Sequence, residues 1–101
     1  MLWLISNTNT PGAEAARDAL REEHRRYLRD HSHALVLSGP LQSDDGSSNW
    51  GSIFLVSFAT AEEARAFSAA EPFTRAGLYD RTTVSRVRKG NWNPAAADAG
   101  V

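Results

Sequence analysis

Two side chains in this sequence are the candidates for proton transfer by their positions, His24 and Glu71. His24 falls where apolar spacing predicts the inward stripe of an amphipathic helix, at a place usually taken by leucine. Histidine titrates near neutral pH and is the commonest general acid or base. Glu71 stands directly before Pro72, where a carboxylate either caps a helix or orients a nearby imidazole. The pair is therefore either an acid/base dyad or a core histidine and a helix cap.

Four further residues are candidates for substrate binding. Ser38-Gly39-Pro40 follows a short apolar run, and such a segment either terminates a strand or lines the mouth of a pocket. Glycine allows a ligand to approach the backbone closely, and proline stiffens the chain beside it. Ser38 has no neighbouring base or glycine elbow, so it is not predicted to be a nucleophile. Phe73, two residues after Glu71, completes the predicted binding surface.

The sequence predicts neither a metal site nor a cofactor. His31 and His33 do not continue from His24 with the spacing of a helical ligand pair, and no carboxylate motif accompanies them. They fall at a predicted helix end, where a positive charge complements the helix dipole. The chain has no cysteine, which excludes thiolate zinc sites, disulfides and thiol nucleophiles. It has no nucleotide or flavin motif, so any activity is predicted to be cofactor-free.

The charge balance calls for neither nucleic acid nor membrane as a partner. The formal net charge is −1, and the basic residues near the C-terminus lack interleaved aromatic side chains. That basic strand is predicted to be a solvated edge, with anion binding by one arginine left open. No apolar run is long enough to span a bilayer, and the N-terminus lacks the pattern of a signal peptide. We therefore expect a cytoplasmic protein that binds a small molecule.

The 101 residues are enough for one domain. Apolar runs, turn formers and a capping box at Thr60 predict four strands and two helices in the order βαββαβ. Thr10-Pro11 is typical of a helix start, with a hydroxyl as cap and a proline in the first turn. Glu71-Pro72 predicts the end of a helix, followed by a short turn. The predicted strands cover 2–5, 34–37, 51–58 and 79–88, and the first helix runs from Thr10 to about 31–33.

This order predicts an α+β, ferredoxin-like fold: a four-stranded antiparallel sheet with both helices on one face. In the third strand Ile53 and Leu55 point to one side while Phe54 and Val56 point to the other, so both sides are apolar. A second apolar face would be large for a monomer, and another copy of the same sheet would cover it. We therefore expect a homodimer, and expect Val56→Asp to dissociate or unfold it, because an unpaired charge buried in an interface is strongly unfavourable.

Several segments together resemble the YCII-related (YciI-like) family over residues 1–92, leaving 93–101 as a predicted flexible tail. The resemblance implies a dimeric α+β barrel, in which two such sheets close on each other. It also implies a catalytic histidine, matched by His24, paired with an aspartate, at whose position this chain has Glu71. The segments are His24 with Tyr27-Leu28, Leu37-Ser38-Gly39-Pro40-Leu41, Gly51-Ser52-Ile53, Ala70-Glu71-Pro72-Phe73 and Ala76-Gly77-Leu78-Tyr79.

Three functions follow as hypotheses. The first is a small cofactor-free enzyme of YciI-like type, doing isomerase, lyase or hydrolase-like acid/base chemistry on a small, aromatic-derived or lactone-like molecule. The second is a non-catalytic dimeric module that binds a ligand or a partner in the same cleft. The third, implied by the wider superfamily, is a cofactor-independent monooxygenase. Contact between the side chains of His24 and Glu71 would favour the enzyme, and their separation would favour the binding module.

Overall fold

The computed structural model describes residues 1–99. Its helices and strands follow the predicted order, with a short helix α3 between α2 and the last strand and a 3-10 helix near the C-terminus. The elements are β1 (Leu2–Asn9), α1 (Glu14–Asp30), β2 (Leu35–Gln42), β3 (Asn49–Ser57), α2 (Ala61–Ala70), α3 (Pro72–Arg75), β4 (Tyr79–Val87) and the 3-10 helix Pro94–Ala99.

The four strands form one sheet in the order β2-β3-β1-β4, and every neighbouring pair is antiparallel. This is the predicted ferredoxin-like α+β fold. The register places Ile5 of β1 opposite Phe54 of β3 and Val84 of β4. Tyr27 of α1 and Phe67 of α2 pack against this side of the sheet and close the core.

Successive side chains of the central strands point to opposite faces of the sheet, so one set lies under the helices and the other faces outward. Val56 and Phe54 are completely or almost completely buried in the core beneath the helices. Leu55 points the other way and lies between Leu4 and the 54% exposed Leu37 in the register of the sheet. The expectation that Val56 belongs to a dimer interface is therefore wrong, because its side chain faces the protomer's own core.

The first helix begins later than predicted. Thr10 is not its cap: its amide donates to the carbonyl of Leu78 (2.9 Å) and its hydroxyl to that of Gly77 (3.2 Å). A turn through Gly12, at φ +75°, then leads into α1 at Glu14. Arg17, near the start of α1, is half-buried. Thr10 instead ties the start of the chain to the segment leading into β4.

The first two strands are longer than predicted. The first strand was predicted to end at Ile5 but continues to Asn9. Asn7 is buried within it and has side-chain partners on both neighbouring strands. Ser38-Gly39-Pro40, predicted either to terminate a strand or to line the mouth of a pocket, lies inside β2 and does not end it. Proline is tolerated there because β2 is an edge strand, which leaves positions whose amides need no partner.

The capping box at Thr60 was predicted correctly. Thr60 caps α2 by accepting a hydrogen bond from the Glu63 amide (3.2 Å). The described part of the C-terminal segment includes the 3-10 helix, preceded by Trp92 with the Lys89 ammonium 5.8 Å from its ring centre. Residues 100 and 101 lie outside the described part, and flexibility of the tail stays a prediction. None of the helices within residues 1–99 is long and apolar enough to cross a membrane.

Candidate active site

His24 and Glu71 meet, although 47 residues separate them in the sequence. The middle of α1 supplies the histidine, and the junction between α2 and α3 supplies the glutamate. Nδ1 of His24 contacts Oε1 of Glu71, and the glutamate side chain is fully buried while the imidazole is 17% exposed. Oε2 of Glu71 accepts hydrogen bonds from the amide (3.0 Å) and the hydroxyl (3.3 Å) of Thr74. The glutamate therefore caps α3 with one oxygen and orients the imidazole with the other.

This contact decides which imidazole nitrogen faces a ligand. A carboxylate is only an acceptor, so Nδ1 of His24 must carry the proton between it and Glu71. In the neutral ring Nε2 then holds the lone pair. Nε2 makes no hydrogen bond to any of the described residues, while the imidazole lines a cleft. The arrangement leaves one basic nitrogen available, with a buried carboxylate behind it to stabilise the imidazolium.

Phe73 fixes the plane of the imidazole. Its ring stacks on His24 with centroids 4.1 Å apart and planes 10° from parallel. It also meets Tyr79 edge to face at 6.2 Å, and the guanidinium carbon of Arg17 lies 5.2 Å from its centre. Phe73 is held in turn by the short helix that Glu71 caps. The same carboxylate thus positions both the histidine and the aromatic ring against it.

The cleft beside His24 has a volume of about 270 Å³. Each of the four residues predicted to bind substrate lines it: Ser38, Gly39, Pro40 and Phe73. A side chain at position 39 would meet no protein atom within 4 Å, so the protein's own packing does not require glycine there. A wider depression of about 540 Å³ shares Arg17, Arg21 and Asn49 with the cleft. Together they make a small polar and aromatic site open to solvent on one side.

Tyr79 presents a hydroxyl to the same cleft at the end of a hydrogen-bond chain. Thr82 donates to the side-chain oxygen of Asn7 (2.7 Å), Asn7 donates to Ser52 (3.2 Å), and Ser52 donates to Tyr79 (3.0 Å). The tyrosine oxygen accepts from Ser52, which leaves its own proton to be donated into the cleft. Burial raises the pKa of Tyr79 to about 12, and Glu71 adds to this while Ser52 and Arg17 oppose it. The phenol stays neutral at physiological pH and is a hydrogen-bond donor, not a base.

The remaining polar candidates do not join the site. His31 donates from Nδ1 to the carbonyl of Tyr27 (2.8 Å) at the end of α1, as its position at a helix end suggested. Among residues 1–99 no histidine and acidic side chains cluster as a metal site would require. Arg86, Arg88 and Lys89 line a separate surface with Met1. The basic side chains of β4 and the segment after it are therefore not part of the cleft.

Arg17 and Tyr79 were not predicted as site residues, although the sequence position of each relates it to a residue that was. Arg17 precedes His24 by seven residues, which is two helical turns, so both lie on one face of α1. Tyr79 opens a strand directly after the short helix of Phe73. Tyr79 belongs to the strand that was predicted to be a solvated edge, and no role was predicted for Arg17.

Fold and site together define a ferredoxin-like α+β protein with a histidine–carboxylate cleft. Residues 1–88 match the sequence model of the YCII-related domain, so the chain belongs to that family. The dyad joins the two family motifs that surround His24 and Glu71. None of the curated proteins matches the sequence significantly.

Solved structures share the fold. The structure is similar to 5-chloro-2-hydroxyhydroquinone dehydrochlorinase from Burkholderia phenoliruptrix AC1100, determined with 2,5-dihydroxybenzoquinone: the TM-score is 0.80 at 29% identity, covering 89% of this chain and 96% of that one. It is also similar to the cofactor-independent oxygenase SnoaB from Streptomyces nogalater, with a TM-score of 0.51 at 13% identity, covering 87% and 93%. The second likeness shows the fold alone.

Proposed function

We propose that this protein is a small, cofactor-free acid/base enzyme in which His24 moves the proton and Glu71 holds and stabilises the imidazole. The observation that carries the proposal is the contact between Nδ1 of His24 and buried Glu71, which leaves Nε2 as the basic atom beside a cleft. General acid/base catalysis needs a base positioned within reach of the substrate proton and held in the correct tautomer. The dyad supplies both conditions.

The reaction begins with removal of an acidic proton from the substrate by Nε2 of His24. The bond's electron pair stays on the substrate, where an adjacent carbonyl carries it as an enolate. Tyr79 donates a hydrogen bond to that oxygen, and Glu71 stabilises the imidazolium. If a leaving group such as halide stands next to the ionised carbon, the electron pair forms a double bond and expels it. If none does, the imidazolium returns the proton to another carbon, and the result is isomerisation.

The dehydrochlorinase supports the elimination branch, because loss of hydrogen chloride requires a base for the proton. That protein is similar to this chain at 29% identity over nearly its full length. A volume of about 270 Å³ is at the lower end for ligand pockets and suits a molecule of one ring. We therefore place the substrate among small aromatic-derived molecules, hydroxylated or halogenated.

The protein is proposed to work as a homodimer through the outer face of its sheet. Leu4, Leu55 and Leu37 lie side by side there, with Ile53 on the same face of β3. None of the described helices covers them, since the helices pack on the Phe54 and Val56 side. A row of partly or fully exposed leucines is costly in water, and a second copy of the sheet would bury it.

The experiment that tests the function compares two histidine variants. Hydroxylated and halogenated single-ring compounds and small lactones are incubated in D₂O, and exchange of acidic protons and halide release are followed by NMR and a halide electrode. His24→Gln should lower the rate by about 10²-fold or more, whereas His31→Gln, outside the cleft, should not change it. A substrate turned over equally well by His24→Gln would refute the proposal.

Binding without turnover by the wild-type protein would favour the non-catalytic module. Oxygen consumption with a quinol-like substrate, measured with an oxygen electrode, would favour the monooxygenase. Cofactor independence and a cytoplasmic location remain predictions from the sequence.

A further inference from the structure

Arg17 is a half-buried cation, and one of its guanidinium nitrogens has no hydrogen-bond partner among residues 1–99. Its Nη1 is buried and makes no hydrogen bond to any of residues 1–99, and none of the ion pairs formed within that range includes it. A guanidinium is always charged and has five N–H donors. Leaving one of them buried and unpaired costs free energy, so such a donor usually marks a missing partner. The missing partner is an acceptor, and next to a fixed positive charge an anionic one is favoured.

Neighbouring arginines differ from Arg17. Arg21 also lines the cleft, but its side chain is 49% exposed and is paired with Asp18. Arg29, further along the same helix, is 61% exposed and pairs with Glu22 at 3.2 Å. Both arginines are paired with a carboxylate and are exposed to solvent. Arg17 alone among these three combines half-burial with an unused donor.

The position of Arg17 relates it to the acid/base residue. Its guanidinium carbon lies 5.2 Å from the centre of the Phe73 ring, and the imidazole of His24 stacks on that ring at 4.1 Å. Both groups therefore lie within the length of one small organic molecule. Arg17 lines the cleft and also the wider depression beside it. A ligand held by its anionic end at Arg17 would extend along an aromatic wall toward Nε2 of His24.

A second unpaired atom lies in the same depression. Oδ1 of Asn9 is buried and has no hydrogen-bond partner among the described residues, while its amide nitrogen donates to the carbonyl of Asn49 (3.3 Å). Arg17 offers a donor there and Asn9 an acceptor. A ligand that satisfies both needs an anionic oxygen and a hydroxyl group.

We propose that Arg17 binds an anionic oxygen of the substrate, a carboxylate or an ionised ring hydroxyl, and so fixes a hydroxylated single-ring anion against Phe73 with its reacting atom near His24. The substrate role rests on the proposed function, whereas the anion site does not. Arg17 selects for negative charge, and His24 acts on the molecule so held.

Binding of simple probes tests the site without knowledge of the substrate. Benzoate, pentafluorophenolate and neutral benzamide are titrated into the protein at neutral pH, and dissociation constants are taken from calorimetry and from NMR shifts of the Phe73 and His24 rings. Wild-type protein should bind at least one anion roughly tenfold more tightly than benzamide, since hydrogen bonds to charged groups are the stronger ones. Preference for benzoate or for pentafluorophenolate identifies the source of the anionic oxygen.

Variants of three arginines assign the effect. Arg17→Gln should lower anion affinity to the level of benzamide, Arg17→Lys should retain part of it, and Arg29→Gln should leave it unchanged. Equal affinity for anions and benzamide in the wild-type protein, no anion binding at millimolar concentration, or loss on Arg21→Gln in place of Arg17→Gln would overturn the proposal. His24→Gln should keep the anion affinity. Binding that depends on Arg17 in a protein without turnover would refute the function and leave the site standing.

Discussion

One carboxylate, that of Glu71, joins the imidazole of His24 to the first turn of α3. The two interpretations of Glu71 from sequence, helix cap and dyad partner, are both realised, because each uses a different oxygen. The family resemblance implies an aspartate at this position. The longer glutamate still reaches both the Thr74 amide and Nδ1 of His24. Replacement of aspartate by glutamate has therefore not separated the histidine from its carboxylate.

Glu71→Gln should reduce both turnover and stability. The amide has only one acceptor oxygen, which cannot accept from Thr74 and from His24 at once. Its NH₂ group would then meet Nδ1 as a donor and force the proton to Nε2, which removes the base. We expect turnover to fall by about 10²-fold and the free energy of unfolding to fall by about 1–3 kcal/mol.

Glu63→Gln is the matched control, because Glu63 belongs to the exposed cap of α2. It should change unfolding by a few tenths of a kcal/mol at most and leave turnover unaltered. Urea unfolding measures the free energy of unfolding, and initial rates measure turnover. Full activity of Glu71→Gln would contradict the role given to the carboxylate.

Tyr79 should make the fold sensitive to alkali. Burial raises the pKa of Tyr79 from 10.0 to about 12. The folded state therefore retains a proton that the unfolded chain loses in that interval, so this contribution is complete below pH 10 and is lost as pH rises toward 12. Tyr79→Phe should reduce the decline in unfolding free energy across this range, measured by urea titrations at several pH values. An identical decline in both proteins would refute the prediction. Tyr27, whose pKa burial also raises, accounts for part of the remaining decline.

Adjacent residues of β3 distinguish the protein core from the proposed dimer interface. Leu55 lies on the outer face, whereas Val56 is buried under the helices. Leu55→Asp should give a folded monomer, and Val56→Asp an unfolded chain, because a buried unpaired charge is strongly destabilising. Light scattering reports the mass and circular dichroism the fold. A wild-type species of 11.0 kDa would show that the outer face is not an interface between copies.

Local signals were sufficient to predict the elements and their order. Thr60 and Glu71 act within three residues of themselves, at the amides of Glu63 and Thr74, so their caps are readable from sequence. The start of α1 was not readable in this way. Thr10 has the residue type of a cap, but its hydroxyl is used by a carbonyl 67 residues away. Only the folded chain brings that competitor close.

The site was predicted only in part, because some of its contacts join residues that are distant in the sequence. The family motifs name His24 and Glu71, while their contact depends on how α1 packs against α3. Arg17 escaped notice because the packing of α1 against the rest of the fold decides whether an arginine on its face is solvated or half-buried. A residue type alone does not reveal an unpaired donor.

The tautomer of His24 is the most direct test of the central claim. In a ¹⁵N–¹H correlation spectrum of the imidazole rings, recorded where they are neutral, His24 should carry its proton on Nδ1 in the wild-type protein and on Nε2 in Glu71→Gln. The exposed His33 provides the internal reference for a ring without a fixed partner. A wild-type His24 protonated on Nε2, or a spectrum unchanged by Glu71→Gln, would contradict the dyad.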